Sequence, residues 1–429
     1  MSTPPTPPSL PTTVRGRTRA ALGGTFQSLA VRNYRLFFVG QLISNTGNQL
    51  TNLALILFVL KLGQSGLAVG ALAACQFGPL VVLSAWAGAV ADRTDKRRAL
   101  LLTQGLEMAQ SAALAVLAFL PHPPLIALYG LSLAGGVLLA FDNPLRRSFV
   151  PEMVSKDVLP NAVVLYSMIV ALSQVLGPAI AGVLVTSVGF GWCFALDALT
   201  YLAVIACLVM MREGELLRQP PKARTGREVR EGLRYVAAVP RLWISFAMFA
   251  VVGLFSFNLR VALPLFVTQS LRGTEGAFAT LYATLSCGAV LGTLLVAQRR
   301  LVELRHAVLG ALMLGLAMLL LSLMPSVAIA APAAFLVGAG SMVYLTASTT
   351  LAQVGTRPDM HGRVLALQTA LIGGTALIGG PIVGHLADLA GGRAPLVSGG
   401  LVCVAVAGLG ELGRRHFRGA TAGGHLSLE

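Results

Sequence analysis

Apolar residues in this chain gather into twelve stretches, each long enough to cross a lipid bilayer, and that pattern decides the fold class. A hydrocarbon core about 30 Å thick takes roughly 20 helical residues to span. Six such stretches run Leu36–Leu60, Leu67–Val90, Ala99–Leu120, Leu125–Phe141, Val163–Val188 and Trp192–Met211. After a polar connector come Leu242–Val267, Ala277–Val296, Ala307–Met324, Val327–Leu351, Val364–Leu386 and Leu396–Leu412. Charged residues form only 11% of the chain, against roughly 25% in soluble domains. Too little polar surface is left to coat twelve oily segments in water. In lipid, backbone groups must bond within their own segment, so each stretch is expected to be a helix.

The expected architecture is all-α, with twelve transmembrane helices in two six-helix bundles. Residues 1–24 read as a disordered basic tail rather than a signal peptide, and 25–211 as the first bundle. The connector 212–241 precedes a second bundle, 242–418, and a tail, 419–429. The halves echo each other. Leu176–Gly191 (LGPAIAGVLVTSVGFG) parallels Ile378–Arg393 (IGGPIVGHLADLAGGR), and each follows a Pro-acid-Met string, Pro151–Met153 or Pro358–Met360. Parallel repeats of this kind place a binding site between the halves, near mid-membrane.

The net charge of +15 does not make one basic patch, so no nucleic-acid partner is expected. With the amino terminus inside, 28 of the 32 Lys and Arg residues fall on inner segments; Lys61, Arg272 and Arg393 are outer, and Arg260 lies within a span. That bias predicts two cytoplasmic termini. Five cysteines, Cys75, Cys193, Cys207, Cys287 and Cys403, lie in apolar stretches without metal-ligand spacing and read as packing residues. No phosphate-binding G-x-x-x-x-G-K-[ST] string occurs, so ATP-driven pumping is not expected, nor is a cofactor or an enzyme's nucleophile set.

Polar residues inside spans are costly and therefore informative. Gln41, Asn45, Asn48, Gln49 and Asn52 share one face of the first span. Such a face meets either a water-filled cavity with its substrate, or another helix through hydrogen bonds. Arg260 costs about 2.5–3.5 kcal/mol at a helix centre unless paired or hydrated. Three readings fit it: holding an anionic substrate group, pairing a coupling acid, or a structural ion pair or snorkelling side chain. Glu107, Asp142 and Asp197 are candidate proton carriers, since a carboxyl moving between wet and dry surroundings can load and release a proton. His385 and Asp388, three residues apart, form either a titrating pair or ordinary helix-end polarity.

The loop after the second span reads Gly88-Ala-Val-Ala-Asp92-Arg93-Thr-Asp95-Lys96-Arg97-Arg98. It resembles the G-x-x-x-D-R-x-G-R-[KR] signature of the major facilitator superfamily, with Asp95 where that family usually has Gly. The resemblance implies that Asp92 caps the eleventh span when the cytoplasmic side is shut, and that Arg93 or Arg97 reaches Asp142. The corresponding loop after the eighth span, Gly292 to Arg300, lacks the acid. Gly177-Pro178-Ala-Ile-Ala-Gly182 resembles the core of the superfamily's antiporter motif, though Ser173 and Val164 stand where upstream glycines would. Gly288 and Gly292 offer a similar small-residue face. The strings RNYRLFFVGQLISNTGNQL, FDNPLRRSFVPEMV, NLRVALPLFV and RPDMHGRVLALQ are similar to the branch holding enterobactin exporters and macrolide efflux proteins. The implied function is secondary active export of a small amphipathic or hydrophobic compound, a drug or siderophore-like metabolite. It would proceed by proton antiport and alternating access, in a monomer bathed by lipid in a bacterial inner membrane. Import of a small metabolite, or a receptor or assembly role without transport, are the alternatives.

A reporter that works only in the cytoplasm should therefore be active when fused at the carboxyl terminus and silent when inserted at Arg272. The reverse pattern would overturn the orientation.

Overall fold

The computed structural model describes residues 26–63, 65–217, 228–297, 303–354, 356–357 and 360–423. The expected basic tail 1–24, Arg299, Arg300, Pro358 and the chain beyond 423 lie outside these described residues.

Twelve long helical segments follow in order. They are α1 (Arg32–Gly63), α2 (Gly66–Arg93), α3 (Lys96–Phe119), α4 (Leu125–Met153), α5 (Leu159–Ser187) and α6 (Phe190–Val209). Then come α7, broken into Pro240–Ser256, Leu259–Leu265 and a closing π turn Phe266–Ser270, and α8 (Glu275–Ala297). The last four are α9 (Leu304–Leu323), α10 (Val327–Val354), α11 (His361–Ala390) and α12 (Ala394–Gly423). Eleven of these segments are apolar and long enough to cross a membrane by length and composition. The other, α1, has the length, but its five amides dilute its apolar character.

Among the differences from the sequence expectation, two have a visible physical reason. The fourth span was expected to stop at Phe141, yet α4 continues to Met153 through Pro144 and Pro151. A proline removes one backbone donor and bends a helix without having to end it when neighbours take up the freed carbonyl. The seventh span was expected to be continuous, but it breaks at Phe257 and Asn258. Asn258 Nδ2 donates to the carbonyls of Gly253 (3.2 Å) and Leu254 (3.0 Å), standing in for missing helical donors.

Helix neighbours repeat with a step of six. In the first half α1 packs on α5 and α6, α3 on α4 and α6, and α2 on α4. In the second half α7 packs on α11 and α12, α9 on α10 and α12, and α8 on α10. The halves meet through α2 with α11 and α5 with α8, which exchange under the same step. Matching turns close α5 and α11. Gly189 (φ +91°, ψ 176°) and Gly391 (φ +86°, ψ 163°) adopt backbone that essentially only glycine tolerates. The connector helix Glu228–Ala238 belongs to the second half, where Val236 packs with Phe246, Ala352 and Val364, and Glu231 pairs with Arg363 at 2.8 Å.

Small residues bring backbones together. A methyl group built on Gly288 would overlap the Phe335 carbonyl, and one on Gly292 the Ala339 carbonyl. Across that crossing, one on Gly338 would overlap the Leu285 carbonyl. Lipid offers no hydrophobic drive for helix association, so this close van der Waals contact carries much of the packing. Gly338→Val should therefore lower the melting temperature of detergent-purified protein, with a cost of about 1–3 kcal/mol or more from overpacking. Gly105→Ala, at a glycine with open space around it, should be neutral or stabilising. Equal effects of the two changes would contradict this account.

Candidate functional site

The break in α7 places Arg260 at the seam between the halves. Its Nε donates to the Tyr282 hydroxyl of α8 at 3.1 Å, and Nη2 to Gln49 Oε1 of α1 at 3.4 Å. No carboxylate among the described residues lies within ion-pair distance of it. Gln49, Asn52, Leu53, Ile56, Arg260 and Tyr282 line one narrow pocket, with room for a water molecule rather than a substrate. An apolar wall thus stands beside one permanently charged guanidinium and three neutral polar side chains.

The α1 amides divide between two environments. Gln49 reaches the seam. Gln41 is fully buried, accepts from Asn45 Nδ2 at 3.1 Å, and keeps Nε2 without a partner. Asn48 donates to the Tyr201 hydroxyl of α6 at 3.4 Å and accepts from Asn52 at 2.9 Å, while Asn52 also accepts from Gln76 of α2. Gln41 and Asn45 thus pair within α1, while Asn48 and Asn52 bond other helices of their own half. Of the five, Gln49 and Asn52 line the pocket.

Behind that face lies a polar core confined to the first half. Arg146 of α4 forms ion pairs with Asp142, one turn earlier, and with Glu107 of α3 at 3.6 Å. Gln104 Nε2 bridges the same carboxylates, at 2.9 Å from Glu107 and 2.8 Å from Asp142, and Thr103 donates to Asp142 at 3.3 Å. Asp197 of α6 is fully buried; Ser111 Oγ (2.8 Å) and Thr200 Oγ1 (3.4 Å) contact it, and it has no cationic partner among the described residues. A Cβ on Gly47 of α1 would sit 2.5 Å from an Asp197 carboxylate oxygen. Every buried charged side chain among the described residues (Lys96, Glu107, Asp142, Arg146, Glu152 and Asp197) lies in this half.

The loop after α2 is arranged differently from what the resemblance implied. Arg97 does not meet Asp142. It caps the end of α6, donating from Nε to the Leu208 carbonyl (2.8 Å) and from Nη2 to that of Val209 (3.0 Å), and it pairs with Glu213. Arg93 is exposed, and Asp142 is taken by Arg146. Asp95 needs no left-handed backbone. At φ −64° and ψ 108° it is the N-cap of α3, accepting from the Arg98 amide at 3.1 Å. Gly88 is buried, and Asp92 is half-buried in the last turn of α2. Lys96 and Glu152, 2.5 Å apart, tie the start of α3 to the end of α4.

The Gly-Pro string of α5 makes two crossings. A Cβ on Gly177 would lie 2.5 Å from Gln49 Cβ, so this glycine lets α5 press on α1 beside the pocket. Gly182 faces Ala279 of α8, across the seam. Pro178, between them, is buried within the helix.

Among the participants that escaped the sequence reading are Arg146, the Lys96–Glu152 pair, Gln76 and Tyr282. The first was readable, since Asp142 and Arg146 stand four apart and face one another on any helix. Ending the fourth span before Pro144 hid it. Tyr282 and Gln76 carry no local signal, and their roles depend on which helices become neighbours.

Residues 23–414 match the family described as transmembrane secretion effector. The enterobactin exporter EntS of Salmonella paratyphi A is 27% identical over 362 residues, 81% of this chain and 85% of that protein. The staphyloferrin A transporter of Staphylococcus aureus is 31% identical over 176 residues, 41% of this chain and 44% of the relative, so that match spans less than half of its length. Among solved structures, a bacterial homologue of the human lysosomal transporter Spinster superposes with a TM-score of 0.69 at 17% identity, covering 89% of this chain and 96% of the other. A peptide transporter, POT, does so with 0.73 at 14% identity, covering 88% and 93%. With a family match across nearly its whole length and two repeating six-helix bundles, the chain belongs to the transmembrane secretion effector family of the major facilitator superfamily, and it is a multi-pass membrane transporter.

Proposed function

We propose that the protein exports a small amphipathic compound bearing an anionic group, a siderophore-like metabolite or similar, by alternating access in exchange for protons. Arg260 carries this reading. A guanidinium keeps its charge at any working pH, and here it meets only Gln49, Tyr282 and water-sized space. Placing such a charge between two bundles costs several kcal/mol. An incoming carboxylate or catecholate would offset that cost, and the flanking Leu53 and Ile56 suit an apolar remainder. The names of the relatives, an enterobactin exporter and a staphyloferrin A transporter, support the direction and the class.

Proton exchange draws on the buried core. Glu107 and Asp142 share the Arg146 guanidinium and Asp197 pairs with no cation among the described residues, so the region carries surplus negative charge unless protons join it, and a surplus is untenable in a dry bundle. Asp142 and Glu107 have Arg146 and Gln104 as partners. Asp197 has only hydroxyl contacts, which can donate or accept as its protonation changes. Asn48 and Tyr201 connect this region to α1, whose Gln49 touches Arg260, giving a route by which α1 senses both events.

Everted membrane vesicles test the reading. Under an imposed pH gradient, acid inside, they should accumulate a catecholate or carboxylate siderophore; accumulation indifferent to the gradient would remove the antiport claim, and uptake by intact cells instead would favour import. Arg260→Gln should raise the apparent KM for an anionic substrate about 10–100-fold, the range for losing one charge-assisted contact, while Arg260→Lys should lose less. An unchanged KM would unseat Arg260.

Asp197→Asn should abolish gradient-driven accumulation and leave downhill counterflow of substrate intact. Undiminished accumulation by that variant would exclude Asp197 as the carrier and turn attention to Glu107 and Asp142.

A further inference from the structure

Antiparallel packing sets the start of α2 against the end of α11. At this far end of the bundle, opposite the start of α1, Asp388 crosses from one half to the other. Its Oδ1 accepts from the Gly66 amide at 2.6 Å and its Oδ2 from the Leu67 amide at 2.8 Å. Ser65, the helix's own cap, takes the Ala68 amide at 3.1 Å. The first three donors of α2 are thus all satisfied, two of them by a carboxylate from the other bundle. Such a carboxylate also faces the positive end of the α2 dipole.

The backbones below this contact touch. A methyl on Gly66 would overlap the Gly384 carbonyl and one on Gly384 that of Gly66, and Gly70 meets Gly380 and Pro381 one turn deeper. The related seam between α5 and α8 has no acid at the matching place. There Thr186 lies against Gly276, and its hydroxyl donates back to the carbonyls of Gly182 and Val183. Close packing of the seam therefore does not itself require a carboxylate. Asp388 adds a charged bond that is made only while the far ends of α2 and α11 are together.

We infer that Asp388 is a positioning residue of the transport cycle, the latch that holds the far side of the central site shut. The same two helices carry Asp92 at their other end, in the last turn of α2 opposite the start of α11. One helix pair thus bears an acid near each end, of which Asp388 bonds the opposite helix's N-terminal amides. Rocking that opens one end closes the other, so the two carboxylates alternate. The inference rests on the proposed alternating access and names its far-side fastening. It does not depend on which substrate or ion is carried.

Distances measured by pulsed electron resonance on full-length protein in lipid nanodiscs test it, with spin labels attached by non-cysteine chemistry. Leu62 with Thr274 reports the far end, and Lys156 with Arg305 the near end; all four are exposed and each pair straddles the halves. Asp388→Asn should raise the ratio of separated to joined far ends about tenfold, the effect of losing one charged cap, and shorten the near-end distance. Asp388→Glu should restore much of the joined population. Ser65→Ala, which removes a cap made within α2 alone, should leave both distributions in place. Wild-type distances in Asp388→Asn would overturn the latch while leaving alternating access standing. A wild-type protein that holds a single distance at each end at every pH, with and without an anionic siderophore, and shows no second population at either end would overturn both. Loss of folded protein in the Asn and Glu variants alike would assign Asp388 a merely structural role and likewise overturn the proposal.

Discussion

Inside a bilayer, a polar group has no water to fall back on, and this rule organises the molecule from its turns to its centre. Backbone donors and acceptors close within helices, and where a helix breaks, a side chain substitutes, as Asn258 does for α7. Helix ends follow the same rule: Arg97 takes the last carbonyls of α6, and Asp388 the first amides of α2. Once the backbone is satisfied, helices associate through shape, which is why glycine carbonyl contacts recur along α8 with α10 and α2 with α11. A fold held by shape and a few cross-half polar bonds can be re-docked at modest cost, whereas one held by a buried apolar core in water could not be opened down the middle so readily.

The scaffold is symmetric, but its charges are not. Neighbour relations repeat from one half to the other, down to the glycine turns at Gly189 and Gly391. Yet among the described residues the buried charged groups all lie in the first half, while the second contributes Arg260 at the seam. Under the proposed function this would divide the work, with the first half handling protons and the second presenting a fixed positive charge to a ligand. Gln49 sits between them, on the helix whose Asn48 donates to the Tyr201 hydroxyl of α6. On that reading neither half alone has both functions, and a substrate and a proton arriving at different places would act on one shared element, α1.

The fold class was legible in the sequence because it depends on sums: a dozen apolar stretches and an internal repeat each average over many residues. The site was legible only in part, because single contacts decide it. Arg260 stood out, since a lone cation in an apolar span has few explanations. Periodicity puts the α1 amides on one face but cannot say which neighbour a face meets: Asn48 meets Tyr201 of α6, Asn52 meets Gln76 of α2 and Gln49 meets Arg260. The signature loop was recognisable while the partner of Arg97 was not, since Glu213 belongs to the connector after α6 and only folding brings it near. Asp388 looked like ordinary helix-end polarity because its partners, the Gly66 and Leu67 amides, are anonymous in a sequence.

Backbone partners of this kind suit a gate. A latch between two side chains would have to find both rotamers again at every closure, and each long side chain gives up conformational freedom in doing so. The amides of Gly66 and Leu67 are already fixed by α2, so only the short Asp388 side chain must be ordered on closing. Under the proposed alternating access, docking of a preformed helix end on a short carboxylate would give a closure that is directional, quickly remade and weak enough to release.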